Sequence, residues 1–357
     1  MTKKQALRAV IFIVGFLFIL RTVTYIIRTN GGVKDRFVGF YAEEKDSIDV
    51  LMVGSSPVYP TYSAPKLYGE QGIVAYPLSS NSQRPKAMRY LIKEAYKTQN
   101  PSLLIIELRM FTMPDDEWEE NMVFTRGVTD NMKYSANRIN AINALVSNKE
   151  ERYTYYFDIF KYHSNWKTLI LPSQIACWNY EKLDPLKGLE IKYGVGPVED
   201  YENLSGYTEA VSPTEEQVGV LYDLLDYVDE LDKDVLFIIS PYVMEEAAKA
   251  QYNYIIPIIE EAGYPVLDFN EHIEEIGIDF SQDTYDYGSH MNALGQVKCT
   301  EYLGNYLKEH YDLPDHRGEE LYESWADAWE LYQVKQAEAE ESILKDIENE
   351  NWTQLID

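Results

Sequence analysis

IDVLMVGSSPVYP, residues 48–60, decides how this chain is read. Its first seven residues form a short, mainly apolar run closed by Gly54, the pattern of a strand covered on both faces. Gly54 permits a tight turn, and Ser55 and Ser56 follow at once. Pro57 suits the first position of a helix, where a missing N–H costs nothing. A serine at such a strand-to-helix turn is presented at the top of a sheet, and its own N–H points where an oxyanion could sit. Serine is also a favoured helix cap, so the turn alone leaves both uses open.

The same rhythm continues outward. GIVAYPL (72–78), SLLIIELRMF (102–111), DVLFIIS (234–240) and YPVLDF (264–269) read as four further strands. Helical patterns lie between them at 85–99, 213–232 and 245–263. In the second of these, Val218, Leu221, Leu224, Leu225 and Val228 fall on one face. Alternation of this kind predicts an α/β fold, with a parallel sheet, helices on both faces and a ligand site at the carboxyl ends of the strands. Residues 112–212 break the rhythm. They are rich in Tyr, Trp and Asn and read as an irregular insertion, helical over 136–146, lying over the sheet edge or the site. After Pro314 the chain becomes an acidic helical tail, 314–357, with Tyr322, Trp325, Trp329 and Tyr332 at helical spacing. Such a stripe packs on the domain or, alternatively, binds a partner.

The N-terminus is of another kind. AVIFIVGFLFIL (9–20) is unbroken apolar sequence, and after Arg21 the run resumes to residue 27. Nineteen helical residues span roughly 28 Å, close to a bilayer core of about 30 Å. Arg21 can snorkel to the headgroups. No small-x-small cleavage site follows, which favours an uncleaved anchor over a signal peptide. Lys3, Lys4 and Arg8 favour a cytoplasmic N-terminus, although Arg28, Lys34 and Arg36 lie on the other side. The expected layout is a cytoplasmic stub (1–7), a transmembrane anchor (8–28), a juxtamembrane linker (29–46), a catalytic-type domain (47–313) and the tail. The protein is thus expected in the cell membrane, single-pass, with its C-terminal domain outside the cytoplasm.

Composition narrows the chemistry. The 357 residues carry 59 acidic against 32 basic side chains, a net charge of −27. That balance opposes a nucleic-acid partner and a phosphate-binding flavodoxin-like use of the fold. Cys177 and Cys299 are too few and too far apart for a zinc or thioredoxin pattern, and no His/Asp cluster has metal-ligand spacing. Neither metal nor cofactor is expected.

Candidate site residues gather at the predicted strand ends. YPLSSNSQ (76–83) brings Ser79 and Asn81 to the second, where turn and capping uses compete with substrate binding. Glu107 and Arg109 end the third, and alternation puts them on one face, as a site pair or an ion pair. DTYDYGSHMNALG (283–295) holds Asp286 and His290 in one loop around Gly288, just before a helix. A carboxylate this close can take the Nδ1 proton of the imidazole and fix its tautomer. A helix-capping role for the loop is the alternative. His272, His310 and His316 read as surface residues, whereas His163, in FKYHSNW, remains a candidate.

The order of these blocks resembles the SGNH/GDSL hydrolases, and in particular their membrane-anchored, extracytoplasmic branch in Gram-positive bacteria. The resemblance covers residues 47 to about 312. It implies a three-layer αβα sandwich with Ser56 as nucleophile, His290 as general base and Asp286 as orienting carboxylate. Ser79 falls where the family places an oxyanion glycine. The Asp–His spacing is four rather than three, so Asp286 must reach through a bulge at Gly288, with Asp283 as the other carboxylate. IELRMF stands where the family has its G-x-N-D block, and Arg109 is the local positive charge. The implied activity is a serine esterase or O-acyltransferase acting on acyl esters of a cell-envelope glycan or polymer. The implied partners are that glycan, an acyl donor and a membrane-bound acyltransferase. The alternative is a non-catalytic scaffold or glycan-binding protein on the same fold.

Overall fold

The computed structural model describes residues 1–28, 31–113, 122–167 and 180–354. Cys177 lies outside the described residues, and Cys299 is a buried free thiol. Five strands form one sheet: β1 Val50–Val53, β2 Ala75–Pro77, β3 Leu103–Glu107, β4 Asp234–Ile239 and β5 Val266–Asp268. Their order is β2-β1-β3-β4-β5, and every neighbouring pair is parallel.

Each strand was expected where it stands, but the strands are shorter than the apolar runs that revealed them. The third run ends as a strand at Glu107, because the chain turns into a 3-10 helix at Arg109–Thr112. Within the strands, alternate residues go to opposite faces. Leu51, Val53, Leu104, Ile106, Phe237 and Ile239 pack on one side. Val50, Met52, Leu103, Ile105, Leu236 and Ile238 pack on the other. Two covered faces explain why these strands are apolar at nearly every position.

Besides two short turns of helix at Val58–Thr61 and Ile273–Ile276, the described helices are α1 Lys3–Ile27, α2 Gly32–Ala42, α3 Ala64–Gln71, α4 Pro85–Ala95, α5 Met122–Thr129 and α6 Ala136–Leu145. They continue as α7 Arg152–Tyr156, α8 Ile159–Tyr162, α9 Glu215–Asp229, α10 Glu246–Glu261, α11 Ala293–His310 and α12 Glu323–Glu348. Helices α2, α4, α9 and α10 cover the first face of the sheet, through residues such as Phe37, Leu91, Leu224 and Ile255. Leu67 of α3 and Cys299, Leu303 and Leu307 of α11 cover the second. The chain leaves β1 towards β2 on one side and builds β3, β4 and β5 on the other. The carboxyl ends of β1 and β3 are therefore the switch point of the sheet.

Helix α1 is long and apolar enough to cross a membrane, with mean hydropathy 2.4. Thr2 and Gln5 close its start as a capping box. Its last turn differs from the rest: Thr24, Tyr25 and Ile27 are buried against the protein. Residues 29–46, expected as a linker, are corrected in part. Residues 32–42 form α2, and Phe37, Val38, Phe40 and Tyr41 put it in the core. Its apolar stripe was hidden among Lys34, Asp35 and Arg36, charges that the fold buries or pairs.

The insertion divides into two parts. Helices α5–α8 pack beside α4 and against the end of α1. The irregular segment after Tyr180 crosses the strand-end face, where Glu190 N–H donates to the Tyr59 carbonyl at 3.1 Å and Gly196 N–H to Thr284 at 2.9 Å. At the other end of the chain α12 lies on α3. Trp325 is buried there, and its Nε1–H donates to Glu43 Oε2 at 3.1 Å. His316, read as a surface residue, is instead half-buried. It stacks on Tyr322 with centroids 4.1 Å apart and contacts Asp49 at 3.3 Å.

Candidate active site

The site starts from the turn after β1. Gly54 is required there by close approach: a Cβ would come within 2.5 Å of Glu107 Cβ and 2.7 Å of Val58. The turn sends its two serines opposite ways. Ser55 is buried, with Oγ 3.5 Å from Glu107 Oε2. Ser56 is half-buried, and its Oγ lies 2.8 Å from His290 Nε2. The Nδ1 of that ring lies 2.6 Å from Asp286 Oδ2. A carboxylate can only accept, so Nδ1 carries the proton and Nε2 is left to accept from the serine hydroxyl. Ser56, His290 and Asp286 therefore form one hydrogen-bonded chain.

The loop that carries Asp286 and His290 is held shut by backbone. Tyr285 N–H donates to the His290 carbonyl at 3.0 Å, and Thr284 bridges Met291 in antiparallel fashion. Tyr287 and Gly288 are both left-handed, with φ of 58° and 88°. This pair makes the bulge that lets a carboxylate four residues back reach the ring. Gly288 has no alternative, since a Cβ would meet Val243 Cγ2 at 2.4 Å. Asp286 Oδ1 also accepts from the His290 N–H at 2.6 Å, so one carboxylate fixes both ring and backbone. Asp283, the other carboxylate, is structural. It is buried and accepts from Lys298 Nζ at 2.6 Å and from the Asp279 N–H at 2.7 Å.

Arg109 stands beside the chain but does not pair with Glu107. The strand has ended, and the two side chains diverge, which corrects the one-face expectation. Only the Arg109 backbone N–H donates to Glu107, at 3.0 Å. The guanidinium lies 4.0 Å above the Tyr242 ring and donates to the Ser289 carbonyl at 2.5 Å and to Ser289 Oγ at 3.2 Å. It thus clamps the residue next to His290. Burial lowers the His290 pKa from its ordinary value, and Arg109 and Lys192 push the same way against the Asp286 hydrogen bond. The imidazole is accordingly neutral at neutral pH and free to accept a proton at Nε2.

Glu107 sits under the site. It is fully buried, and the N–H groups of Ser55, Arg109 and Ser240 converge on it from the ends of β1, β3 and β4. Burial dominates these bonds and pushes its pKa up to about 7. The folded state therefore holds the proton more tightly than the unfolded chain. The stabilisation is complete below about pH 4.5 and is lost as pH rises through 7, a change of about 3 kcal/mol. Thermal unfolding of Glu107→Gln is expected to lack this slope. The wild type should lose ground to the variant between pH 5 and 8, and a difference constant with pH would contradict the assignment.

Of the other sequence candidates, two adjoin the site and one does not. Ser79 is buried just past β2, and its carbonyl accepts from Arg36 Nη1 at 2.9 Å. Among the described residues no backbone acceptor takes the Ser56 or Ser79 N–H. Asn81 is exposed, and its Oδ1 accepts from the Tyr59 hydroxyl at 2.9 Å. His163 is misplaced by the sequence reading. It is exposed in a 3-10 turn, Nδ1 3.0 Å from the Phe160 carbonyl, on the segment that packs against α1.

Sequence reasoning missed Arg36, Tyr59, Lys192 and Tyr285. The Arg36 guanidinium lies 3.8 Å above the Tyr59 ring and ties Gly188 to Ser79. Lys192 lies 4.8 Å above the Tyr285 ring, beside the loop of the triad. Tyr59 and Tyr285 lie within the quoted blocks 48–60 and 283–295 but carried no chemistry that singled them out, whereas Arg36 and Lys192 lie outside every block. Among the described residues no group of three or more His, Cys, Asp or Glu side chains could hold a metal ion. No family model matches this chain, and no curated protein matches it.

Proposed function

We propose that this protein is an extracytoplasmic serine esterase or O-acyltransferase, of SGNH/GDSL type, acting on acyl esters of a cell-envelope glycan or polymer. The observation that carries the reading is the continuous chain Ser56 Oγ–His290–Asp286, with links of 2.8 and 2.6 Å. Ser56 Oγ attacks the ester carbonyl as His290 Nε2 takes its proton, and Asp286 stabilises the imidazolium. The Ser56 and Ser79 N–H groups meet the oxyanion. The imidazolium then protonates the departing alkoxide, leaving an acyl-Ser56. Water or a glycan hydroxyl attacks the acyl group while His290 again takes the proton, and Ser56 is regenerated. The sheet-end location and a half-buried histidine whose pKa is lowered support this use. Helix α1 supports a single-pass place in the cell membrane with the domain outside, where glycan, acyl donor and a membrane-bound acyltransferase would be met.

Two expected results follow from the site. The ester content of the envelope glycan should change on deletion of the protein and be restored by the wild type but not by Ser56→Ala. Restoration by Ser56→Ala would instead favour a non-catalytic scaffold. In vitro, the acid limb of kcat/KM for a simple ester should fall below pH 6.5, because His290 must lose a proton it holds weakly. A limb above pH 7 would exclude His290 as the base.

A further inference from the structure

Helix α1 leaves too little of itself uncovered to fill a bilayer. Its exposed apolar residues run from Leu7 to Val23, while Thr24, Tyr25, Ile27 and Arg28 are covered by protein. That exposed stretch is about 25 Å long, some 5 Å less than a typical hydrocarbon core. The segment lying against the covered turn is itself apolar on its open side. Tyr153 is 52% exposed, Phe157 54%, Phe160 56% and Trp166 65%. Lys161, His163 and Lys167 are exposed among them, and residues 159–167 include no acidic side chain in a chain with 59. Between this segment and the helix runs an apolar groove of about 530 Å³, walled by Leu17 and Leu20 of α1 and by Ile139, Ile142 and Phe157 opposite.

We infer that this face of the insertion is a lipid-binding surface. Tyr153, Phe157, Phe160 and Trp166 bed into the outer leaflet, and phospholipid acyl chains fill the groove beside α1. The inference rests on the reading that α1 crosses the membrane. A leaflet that surrounds Leu17 and Leu20 necessarily surrounds the groove they wall. A bilayer thicker than the exposed helix covers the missing depth with the aromatic underside of the domain. Tyr153 and Trp166, aromatic with a polar edge, suit that level, Phe157 and Phe160 add apolar surface beside them, and Lys161, Lys167 and His163 meet the phosphates. His163 thus has a place in the molecule, though not in the triad. The bed also fixes the height of the domain over the membrane more firmly than one helix could.

The test uses the full-length protein in phosphatidylcholine–phosphatidylglycerol vesicles whose lipids are brominated near the glycerol end of the chains. Bromine quenches tryptophan only at close range. The wild type should be quenched relative to unbrominated vesicles, and Trp166→Phe should lose the larger part of that quenching. Phe157→Asp/Phe160→Asp should still co-float with the vesicles but lose the quenching that Trp166 supplies. Equal quenching in wild type and Trp166→Phe, with both co-floating, would overturn the surface while leaving the anchor intact. Failure to co-float at all would remove the anchor and the surface together.

Discussion

Ser56→Ala is expected to lower turnover of an activated ester by about 10⁴-fold or more, and His290→Ala to match it. Nucleophile and base act as one unit across their 2.8 Å contact, so losing either costs about as much as losing both. Asp286→Asn should reduce kcat far more than it raises KM, because its task is to hold Nδ1–H and the ring. Ser55→Ala is the control within the same turn. Its hydroxyl reaches Glu107 at 3.5 Å, on the buried side, so the variant should lose about 1 kcal/mol of stability at most and keep its activity. The readout is p-nitrophenyl acetate hydrolysis by the full chain in detergent. An active Ser56→Ala beside an inactive Ser55→Ala would move the nucleophile by one residue.

Asp158→Ala should destabilise the protein by about 3–5 kcal/mol, the largest effect expected away from the site. The Asp158 carboxylate is fully buried where α1 meets the insertion. It accepts from Arg28 Nε at 2.7 Å, Arg138 Nη2 at 2.8 Å and the Tyr134 hydroxyl at 3.2 Å. Arg126 and Asp130 complete the cluster, joined at 3.0 Å. Three guanidinium groups thus share two carboxylates. Removing one carboxylate leaves buried positive charge facing positive charge, with no water to screen it. Thermal unfolding in detergent measures the loss, and Asp158→Asn should recover part of it by keeping neutral acceptors and shape. A melting temperature of Asp158→Ala within a degree of the wild type would show that the cluster does not hold α1 to the domain.

The parts of this molecule that were legible in sequence are those written in local chemistry. Apolar runs such as VLMV (50–53) and LLII (103–106) announce a doubly covered sheet, because no polar residue interrupts them. The turn at Gly54 and the loop at Gly288 were legible because each glycine sits where a side chain cannot. Asp286 and His290 were legible because they share one loop before a helix, and Ser56 was chosen through the resemblance to the SGNH/GDSL hydrolases; the rule that parallel strands end on one side predicted that the three meet.

What stayed hidden depends on contacts between distant segments. Arg36 reads as a juxtamembrane charge, and only the fold shows it spanning Gly188, Ser79 and Tyr59. Arg109 reads as a strand residue, yet the chain turns before it, and its true partner, Ser289, lies 180 residues away. His163 drew notice because FKYHSNW is not the charged helical setting of His272, His310 and His316, a local feature that carries no geometry. Residues 29–46 read as a linker because alternating charges masked a core helix.

Mass mapping of a fluorophosphonate adduct on the full-length protein tests the triad most directly. The probe esterifies only a hydroxyl whose proton a neighbouring base can take, so the adduct identifies an activated serine. The account requires one adduct, on Ser56, whose formation is abolished in His290→Ala and slows as pH falls below 6.5. An unmodified Ser56, or an equally fast adduct in His290→Ala, would contradict it.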